Sequence, residues 1–203
     1  MIVAWEQQIF DDIRGQFGPG TFVLDIGCGP GQQMETLSGQ GCDVIGIDID
    51  FSALVQCRSK SLSVLQASAE HIPIRDAGVG AILCRVVLPY TQEQEVIREI
   101  SRILKPGGRC YLSGHGSGYY WQYLLRMLPW KQRFYGLRSL INTWFQISTK
   151  RSLPGFWGDT LYQSKSRLNR YCRNNRLRLV RDVSGGTFLG FPVFINQIVE
   201  KSK

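Results

Sequence analysis

The feature that most constrains the fold is a regular alternation of strand-like and helix-like segments in the first half of the chain. Short apolar runs typical of buried strands stand at "TFVLDI", "DVIGID", "SVLQA", "VGAILCRV" and "RCYLSG". Between them lie "GQQMETLSG", "FSALVQCRSK" and "TQEQEVIREISRILK". The last of these places five apolar residues on one helical face, namely Val96, Ile97, Ile100, Ile103 and Leu104. The pattern predicts an α/β fold with an open, mostly parallel sheet.

The end of the chain adds one more helix and two more strands. The segment "DTLYQSKSRLNRYCRNN" has helical spacing, and we expect its helix to begin near Thr160 with Asp159 as the N-cap. Its inward face would carry Leu161, Leu168, Tyr171 and Cys172, and its outward face Lys165, Arg167, Arg170 and Arg173. A contact with substrate is the alternative role for Asp159. The segments "LRLVRDV" and "FLGFPVFINQIVEK" are typical of strands.

A glycine cluster follows the first predicted strand. In "DIGCGPG", Gly27, Gly29 and Gly31 allow the backbone to turn tightly and to approach a ligand closely. Such a turn alone could simply be a tight connection. However, Asp48 ends the second predicted strand, where a carboxylate can accept hydrogen bonds from both ribose hydroxyls of a nucleoside. The two features together favour a nucleoside-binding site.

The spacing of the motif carries a resemblance to a known family. Gln32 stands where the dehydrogenase fingerprint has its third glycine, and "VLDIGCGPG" closely resembles the motif of class I S-adenosylmethionine-dependent methyltransferases. The resemblance extends from Thr21 to about His115, through "ASAEHIPI" and "LKPGG". It is strongest to the small-molecule group that includes the quinone-biosynthesis methyltransferases.

The resemblance implies a fold, a reaction and a cofactor. The fold is a Rossmann-like, open, mostly parallel seven-stranded sheet with an antiparallel C-terminal hairpin strand and a helical insertion after the fifth strand. Residues 1–203 would form one domain, an enzyme that uses S-adenosylmethionine, releases S-adenosylhomocysteine and needs no metal. The implied cofactor-binding residues are Asp25, Gly27, Cys28, Gly29, Gly31, Asp48, Ile49, Ser68, Ala69, Glu70, Cys84 and Arg85.

Two positions depart from the family pattern. Ser68 stands where many members have an Asp that meets the adenine amino group, and "CRVVLPY" ends in Pro89-Tyr90 where relatives often carry His or an aromatic pair.

The candidate catalytic residues are His115, as a general base or acceptor-orienting group, and Tyr90, as a wall of the methyl pocket. The alternative for His115 is a hydrogen-bonded loop histidine. His71 is a weaker candidate, and Arg85 could attract an anionic acceptor or pair with a structural carboxylate.

Charge divides the chain into two unequal parts. Between Ser117 and Arg181 there are 13 Lys and Arg and one acidic residue, a net charge of +12, and the rest of the chain carries −4. This part also holds four of the five Trp. Residues 117–158 interrupt the α/β pattern, and we expect a helical lid there. One helical face would carry Phe134, Leu137, Leu140, Ile141, Trp144 and Phe145.

An apolar lid face would exclude water and bind a hydrophobic or aromatic small-molecule acceptor. The alternative is that these aromatic residues only pack on the sheet, with the cationic residues in solvent. Trp and Tyr mixed with Lys and Arg also suit an anionic membrane surface, so we expect peripheral membrane contact. RNA is a less favoured partner, because the insertion is very apolar and no RNA-binding module accompanies it.

Other features bear on the compartment. The six cysteines form no CxxC pair, which indicates buried thiols in a reducing compartment. No apolar run approaches the roughly 20 residues that span a bilayer, and the N-terminus lacks the plan of a signal peptide. We expect a cytoplasmic protein, peripheral at the membrane.

Two further functions stay open from the sequence. One is an RNA methyltransferase that uses the basic surface, although "VLPY" lacks the amide of the Asn-Pro-Pro-aromatic tetrapeptide found in exocyclic amino-group methylation. The other is a non-catalytic cofactor-binding module, which the presence of Gly27, Gly29 and Asp48 disfavours. The acceptor atom (O, N or C) and the oligomeric state are open as well.

Overall fold

The computed structural model describes residues 17–126, 129–149, 151, 153–158 and 160–203. The strands are β1 Phe22–Ile26, β2 Asp43–Asp48, β3 Ser63–Gln66, β4 Val79–Arg85, β5 Leu104–His115, β6 Leu177–Asp182, β7 Thr187–Phe188, β8 Phe191–Pro192 and β9 Phe194–Lys201. The helices are α1 Gln32–Ser38, α2 Phe51–Ser59, α3 Glu93–Ile103, α4 Ser117–Leu125, α5 Trp130–Thr149 and α6 Lys165–Asn174. Two 3₁₀ turns lie at Leu88–Tyr90 and Gly155–Trp157.

Seven strands form one sheet in the order β3-β2-β1-β4-β5-β9-β6. The first five pair in parallel, whereas β9 is antiparallel to both β5 and β6. This arrangement confirms the predicted Rossmann-like sheet with its antiparallel C-terminal hairpin strand. The strand order reverses direction between β1 and β4, and ligands in open sheets of this kind bind at that point, outside the carboxyl ends of the strands.

The core forms as the apolar periodicity predicts. The inner face of α3 is fully buried at Val96, Ile97, Ile100 and Ile103, and it packs on the middle strands of the sheet. Leu104, which was predicted for the same helical face, instead begins β5. All six cysteines are buried free thiols, as expected for small apolar side chains.

The insertion after β5 is helical, as predicted, and contains α4 and α5. Gly136 of α5 lies so close to α4 that an added Cβ would be 2.7 Å from the carbonyl oxygen of Tyr120. The chain leaves the sheet at Gly116 and returns at Gln163, and a parallel β-bridge joins these two residues. Both ends of the insertion are therefore fixed beside the carboxyl end of β5.

The prediction for the start of α6 was wrong. Asp159, the predicted N-cap, lies outside the described residues, and the helix begins at Lys165. Its N-cap is Ser164, whose Oγ accepts a hydrogen bond from the backbone N–H of Arg167 at 3.3 Å. The residues before it are extended because side chains of α5 hydrogen-bond to their backbone. The Thr160 carbonyl oxygen accepts from the Asn142 side chain, and the Tyr162 N–H donates to the Thr143 hydroxyl.

The predicted apolar face of α5 exists, but the described part of the chain leaves three of its six residues exposed. Leu137, Ile141 and Trp144 are exposed at 39%, 40% and 68%. The residues turned inward are mostly polar, with Ser139 and Asn142 fully buried. Among the described residues, no helix has the length and apolar character required to cross a bilayer.

Candidate functional site

A cleft lies at the carboxyl ends of β1, β2 and β4. It consists of a cavity of about 360 Å³ and a smaller one of about 150 Å³, and both are lined by Gly27, Arg85 and Val86. Of the predicted residues, the larger cavity is lined by Gly27, Asp48, Ile49, Ser68, Ala69, Glu70 and Arg85. The smaller one is lined by Asp25, Gly27, Cys28, Gly29 and Arg85. The structure thus brings ten of the twelve predicted cofactor-binding residues to one continuous cleft.

The glycine loop is tied to the neighbouring strand by its backbone. The N–H groups of Gly27 and Cys28 both donate to the carbonyl oxygen of Ile47, at 2.8 and 3.0 Å. Gly27 has a φ of 70°, and an added Cβ would lie 2.3 Å from Cγ2 of Val87. Only glycine therefore fits here without a shift of Val87, and the floor shared by the two cavities stays free of side-chain atoms.

Asp48 is oriented by two backbone donors. Its Oδ2 accepts from the Gly29 N–H at 2.7 Å, and its Oδ1 accepts from the Asp50 N–H at 2.9 Å. A carboxylate offers about four lone-pair sites, so each oxygen keeps the capacity for another donor. The Asp48 carboxylate lines the larger cavity and can meet two adjacent hydroxyl groups there.

Asp25 is the buried carboxyl group of the smaller cavity. It is 1% exposed, and its Oδ2 has no hydrogen-bond partner within the described residues. Burial raises the pKa of Asp25 to about 7, with Arg85 opposing the rise and Asp48 adding to it. A buried carboxyl oxygen without a donor indicates a cationic or donor group that the cleft is built to receive.

Arg85 and Gln33 form the wall next to Asp25. In the orientation that satisfies both polar atoms of the Gln33 amide, its oxygen accepts from Nη1 and Nη2 of Arg85, at 3.2 Å each. Gln33 is 6% exposed and lines the smaller cavity. The sequence analysis did not select Gln33, since nothing in "PGQQMET" separates it from an ordinary helix residue.

Ser68, Ala69 and Glu70 form a tight turn at the other end of the cleft. The Ser68 Oγ accepts from the Glu70 N–H at 3.2 Å, and the Glu70 Oε1 accepts from the Gln92 N–H at 2.7 Å. The turn is therefore fixed to the start of α3. His71 is exposed and lines neither cavity.

Two predicted cofactor-binding residues do not line these cavities. Gly31 caps α1 with a φ of 86°, and an added Cβ would lie 2.5 Å from Cδ1 of Leu62, so its role is to shape the loop. Cys84 is fully buried in the core cluster, and burial raises the pKa of its thiol. A side-chain contact between Cys84 and a ligand in the cleft is therefore not available in this arrangement.

The two predicted catalytic residues lie in different surroundings, Tyr90 at the larger cavity and His115 in an aromatic cluster. Tyr90 lines the larger cavity, ends the 3₁₀ turn after β4 and is 58% exposed. His115 ends β5, is 8% exposed and lines neither of the two cavities. Its ring stacks on Tyr119 with 3.9 Å between centroids.

His115 is held as a neutral imidazole. Burial lowers its pKa to about 4, and its Nδ1 has no hydrogen-bond partner within the described residues. Around it lie Tyr119, Tyr120 and Phe194, and Tyr119 continues through a 2.9 Å hydroxyl contact to Tyr123. An unpartnered nitrogen in an aromatic cluster can accept a proton from a group that reaches it.

Val86, which is not among the predicted site residues, lines both cavities. It has a φ of 57°, a conformation that β-branched residues rarely adopt. Its N–H donates to the Ser113 carbonyl oxygen at 2.8 Å, which holds the strained residue in place. No sequence signal marks this position, because left-handed backbone is expected at Gly or Asn and not at Val.

A buried ion pair connects the end of the insertion to the wall of the cleft. Arg167 donates to both carboxylate oxygens of Glu93, at 2.6 and 2.8 Å, and Gln163 donates to the same carboxylate at 3.1 Å. Arg167 also donates to the Tyr162 carbonyl. The Leu161 N–H donates to the Pro89 carbonyl oxygen at 2.8 Å, directly beside Tyr90. Arg167 was predicted to point outward, and that prediction was wrong.

The cleft can hold a nucleoside joined to a cationic chain. Asp48 offers a carboxylate for vicinal hydroxyls, and Ile49 and Ala69 offer apolar walls for a planar base. Asp25 lies at the opposite end, where it would meet a cation. No group of three or more His, Cys, Asp or Glu within the described ranges is arranged to hold a metal ion.

Comparison with known proteins agrees with this geometry. Residues 24–112 match the family model described as a methyltransferase domain. The chain is 31% identical over 113 residues to the ubiquinone biosynthesis O-methyltransferase of Aliivibrio fischeri, covering 52% of this chain and 47% of that protein. It is 33% identical over 117 residues to the biotin biosynthesis bifunctional protein BioHC of Cellvibrio japonicus, covering 55% and 23%. The chain thus spans about half or less of the length of these relatives.

Solved structures share the fold across nearly the whole chain. A putative S-adenosylmethionine-dependent methyltransferase from Listeria monocytogenes superposes with a TM-score of 0.73 at 17% identity, covering 99% of this chain and 100% of that one. Geranyl diphosphate C-methyltransferase from Streptomyces coelicolor, solved with Mg²⁺, geranyl diphosphate and S-adenosyl-L-homocysteine, gives 0.66 at 18%, covering 98% and 80%. Residues 24–112 thus match a methyltransferase domain in sequence, and the chain shares the fold of solved S-adenosylmethionine-dependent methyltransferases over nearly its whole length.

Proposed function

We propose that the chain is an enzyme that transfers a methyl group from S-adenosylmethionine to a hydrophobic or aromatic small molecule. The observation that carries the proposal is the pairing of two carboxyl groups across the glycine loop. Asp48 is held by the Gly29 N–H, and the buried Asp25 has an unpartnered oxygen on the other side of Gly27. This pair matches two polar parts of the cofactor, the ribose hydroxyls and the ammonium group of the methionine chain.

In this proposal the residues of the cleft bind and orient the cofactor. Asp48 accepts the ribose hydroxyls, Asp25 receives the ammonium group, and Ile49 and Ala69 pack on the base. Ser68 and Glu70 form the polar edge of that part of the cavity, and Arg85 fixes the wall beside the cationic chain. The bound cofactor supplies a methyl group that its sulfonium already activates, so positioning and exclusion of water are the main tasks of the protein.

The acceptor side is proposed to start at Tyr90. This residue lines the cavity, and the turn that carries it is hydrogen-bonded to the return segment of the insertion. Helix α4 carries the aromatic cluster of Tyr119, Tyr120 and Tyr123, which lies next to His115 at the end of β5. We therefore assign the lid role of residues 117–158 to α4 and its aromatic residues, with the exposed face of α5 outside the site.

His115 would serve as the base for an acceptor that loses a proton. Its neutral state and unpartnered Nδ1 support this role, while its place outside the two cavities requires the acceptor to reach under α4. An acceptor without an acidic proton needs no base.

The names of relatives point to the same class of acceptor. The curated relatives act in ubiquinone and biotin biosynthesis, and a solved neighbour methylates geranyl diphosphate. Each is a small-molecule pathway or substrate. We further propose that residues 1–203 form a single domain, that it works in the cytoplasm with its thiols reduced, and that it contacts membranes peripherally.

Methyl-labelled cofactor gives the test. Purified protein is incubated with labelled S-adenosylmethionine and a whole-cell extract, and the products are partitioned between organic solvent and water. We expect label in the organic phase, and none with Asp48→Ala. Asp43→Ala is the matched control, because Asp43 is exposed at the opposite end of the same strand.

Two results would contradict the proposal. Label in the aqueous phase that is lost after ribonuclease treatment would show that RNA is the methyl acceptor. Absence of label in both phases, with cofactor binding intact by calorimetry, would indicate a non-catalytic cofactor-binding module.

A further inference from the structure

Helix α5 has its apolar and polar faces reversed relative to an ordinary surface helix. Five large apolar side chains on its outer side are exposed: Trp130 at 72%, Leu137 at 39%, Ile141 at 40%, Trp144 at 68% and Ile147 at 57%. Surface helices normally turn such a stripe toward the core. We call these five residues the outer face of α5.

The polar side of the helix is fixed toward the protein by hydrogen bonds. Ser139 Oγ lies 2.8 Å from Thr160 Oγ1, Asn142 donates to the Thr160 carbonyl at 2.9 Å, and Thr143 Oγ1 accepts from the Tyr162 N–H at 3.0 Å. The Asn142 Oδ1 also accepts from the Leu153 N–H at 3.0 Å. Rotation of α5 to bury the outer face would break all of these bonds in a buried setting. The exposure of the outer face is therefore built into the fold.

The surroundings of the outer face are basic. From Ser117 to Gly158 the chain contains six Lys and Arg and no acidic residue. Arg126, Lys131, Arg133 and Arg151 are exposed. Two such faces brought together would place like charges against each other, which disfavours a second copy of this chain as the partner. An anionic surface has the complementary charge.

An anionic partner must also accept the apolar residues. RNA could stack on Trp130 and Trp144, but it offers no apolar layer for Leu137, Ile141 and Ile147. A lipid surface offers both, since Trp favours the headgroup region, aliphatic side chains enter the acyl boundary and basic residues meet anionic headgroups. Trp130 and Trp144 are 14 residues apart in the helix, a spacing of about 21 Å, so they would anchor both halves of α5.

We propose that the outer face of α5 docks on an anionic lipid bilayer, with the helix axis parallel to the membrane plane. The surface is distinct from the cofactor cleft, and docking needs neither cofactor nor turnover. It rests on the proposed peripheral membrane contact and names the surface that makes it, and it can fail or hold independently of the proposed methyl transfer. Docking places the chain where hydrophobic acceptors are concentrated.

Vesicle sedimentation with the 203-residue chain tests the proposal. The probes are vesicles of phosphatidylcholine alone and of phosphatidylcholine with phosphatidylglycerol, without cofactor. We expect binding to the anionic vesicles that weakens with added salt, and little binding to the neutral ones. The double variant Ile141→Ser/Trp144→Ser should reduce the partition coefficient at least about tenfold, because it removes two apolar anchors.

A matched control removes exposed apolar residues elsewhere. Val55 and Leu65 are exposed at 49% and 46% on α2 and on the edge strand β3, which lies four strands from β5 in the sheet. The double variant Val55→Ser/Leu65→Ser should therefore bind vesicles like the unaltered chain. Lys131→Glu should weaken binding to anionic vesicles without changing binding to neutral ones. Circular dichroism and cofactor affinity should be unchanged in all three variants, because none of the substituted residues lines the described cleft.

Three results would overturn the proposal. The first is equal vesicle binding by the α5 double variant and the unaltered chain. The second is a concentration-dependent dimer in analytical ultracentrifugation that the same variant dissociates, which would make the outer face a contact between copies. The third is RNA binding that the variant abolishes while vesicle binding is absent.

Discussion

The carboxylate of Asp48 is held in place by the backbone of the glycine loop, through a 2.7 Å hydrogen bond from the Gly29 N–H. The second oxygen is held by the Asp50 N–H at 2.9 Å. Both donors are backbone groups, so the carboxylate keeps its orientation before any ligand arrives. Preorganisation of this kind reduces the ordering cost of binding.

Asp48→Ala should therefore weaken binding of S-adenosylmethionine by about 100-fold, since hydrogen bonds to a charged group contribute about 1.5–3 kcal/mol each. Titration calorimetry measures the dissociation constant, and thermal unfolding checks that the fold persists. Asp43→Ala should bind like the unaltered chain. An unchanged dissociation constant for Asp48→Ala would refute the assignment of the ribose site.

The pKa of Asp25 predicts opposite effects on stability and on binding. Burial raises this pKa to about 7 from 3.8, so the folded state binds the proton more tightly than the unfolded state. The stability of the cofactor-free protein should then fall as the pH rises from about 4 to about 7. Above that range Asp25 is ionised in both states, so its contribution to the free energy of unfolding no longer changes. Asp25→Asn removes the charge and should raise the free energy of unfolding at pH 8 by about 2–4 kcal/mol.

The same variant should bind cofactor poorly. A cationic group prefers the ionised carboxyl, so the affinity of the unaltered chain should fall about tenfold as the pH drops from about 7.5 to about 5.5. Asp25→Asn should bind weakly and show a flat profile over that range. Calorimetry at several pH values measures the cofactor dissociation constant of both proteins. If the affinity of Asp25→Asn depended on pH as that of the unaltered chain does, the titrating group would be another residue.

Gly27 tests the geometry of the loop. An added Cβ would lie 2.3 Å from Val87 Cγ2, and the φ of 70° is strained for alanine. Gly27→Ala should lower stability by about 1–3 kcal/mol and weaken cofactor binding. Gly80→Ala is the matched control, because an added Cβ there meets nothing within 4 Å. Val87→Ala in the Gly27→Ala background should restore part of the stability, and a lack of any restoration would show that backbone strain alone is responsible.

His115 needs a variant that separates chemistry from packing. His115→Phe keeps a flat ring beside Tyr119 and removes both nitrogens. If the imidazole is the base, turnover should drop about 100-fold while the cofactor dissociation constant stays within about twofold. The pKa of about 4 also predicts that this group leaves kcat/KM flat above pH 6, with any loss appearing only near pH 4. Full turnover in His115→Phe would limit His115 to a packing role.

Much of the fold and of the cofactor site was readable from local patterns. Strand and helix periodicities predicted the parallel sheet, and the loop from Gly27 to Gly31 together with Asp48 predicted the cleft. These features depend on residues close in sequence, or on the rule that parallel strands share a carboxyl edge.

The features that sequence reasoning missed depend on distant partners. The apolar stripe of α5 predicts a helical face but not its direction, which is set by hydrogen bonds from Ser139 and Asn142 to Thr160. The helical pattern predicts that Arg167 is a surface residue, because its buried partner Glu93 lies 74 positions earlier in the sequence. Val86 adopts a left-handed backbone that no residue preference would suggest.

The β-bridge between Gly116 and Gln163 has a consequence for how this chain could diversify. These two residues lie at adjacent positions on the rim of the sheet, so residues 117–162 between them, which include the insertion, form an almost closed loop. Segments joined to a framework at neighbouring points can be lengthened, shortened or exchanged at little entropic cost. The sheet and its glycine loop can thus stay constant while the insertion is exchanged, and under the roles proposed for α4 and α5 one exchange would change acceptor choice and membrane binding together.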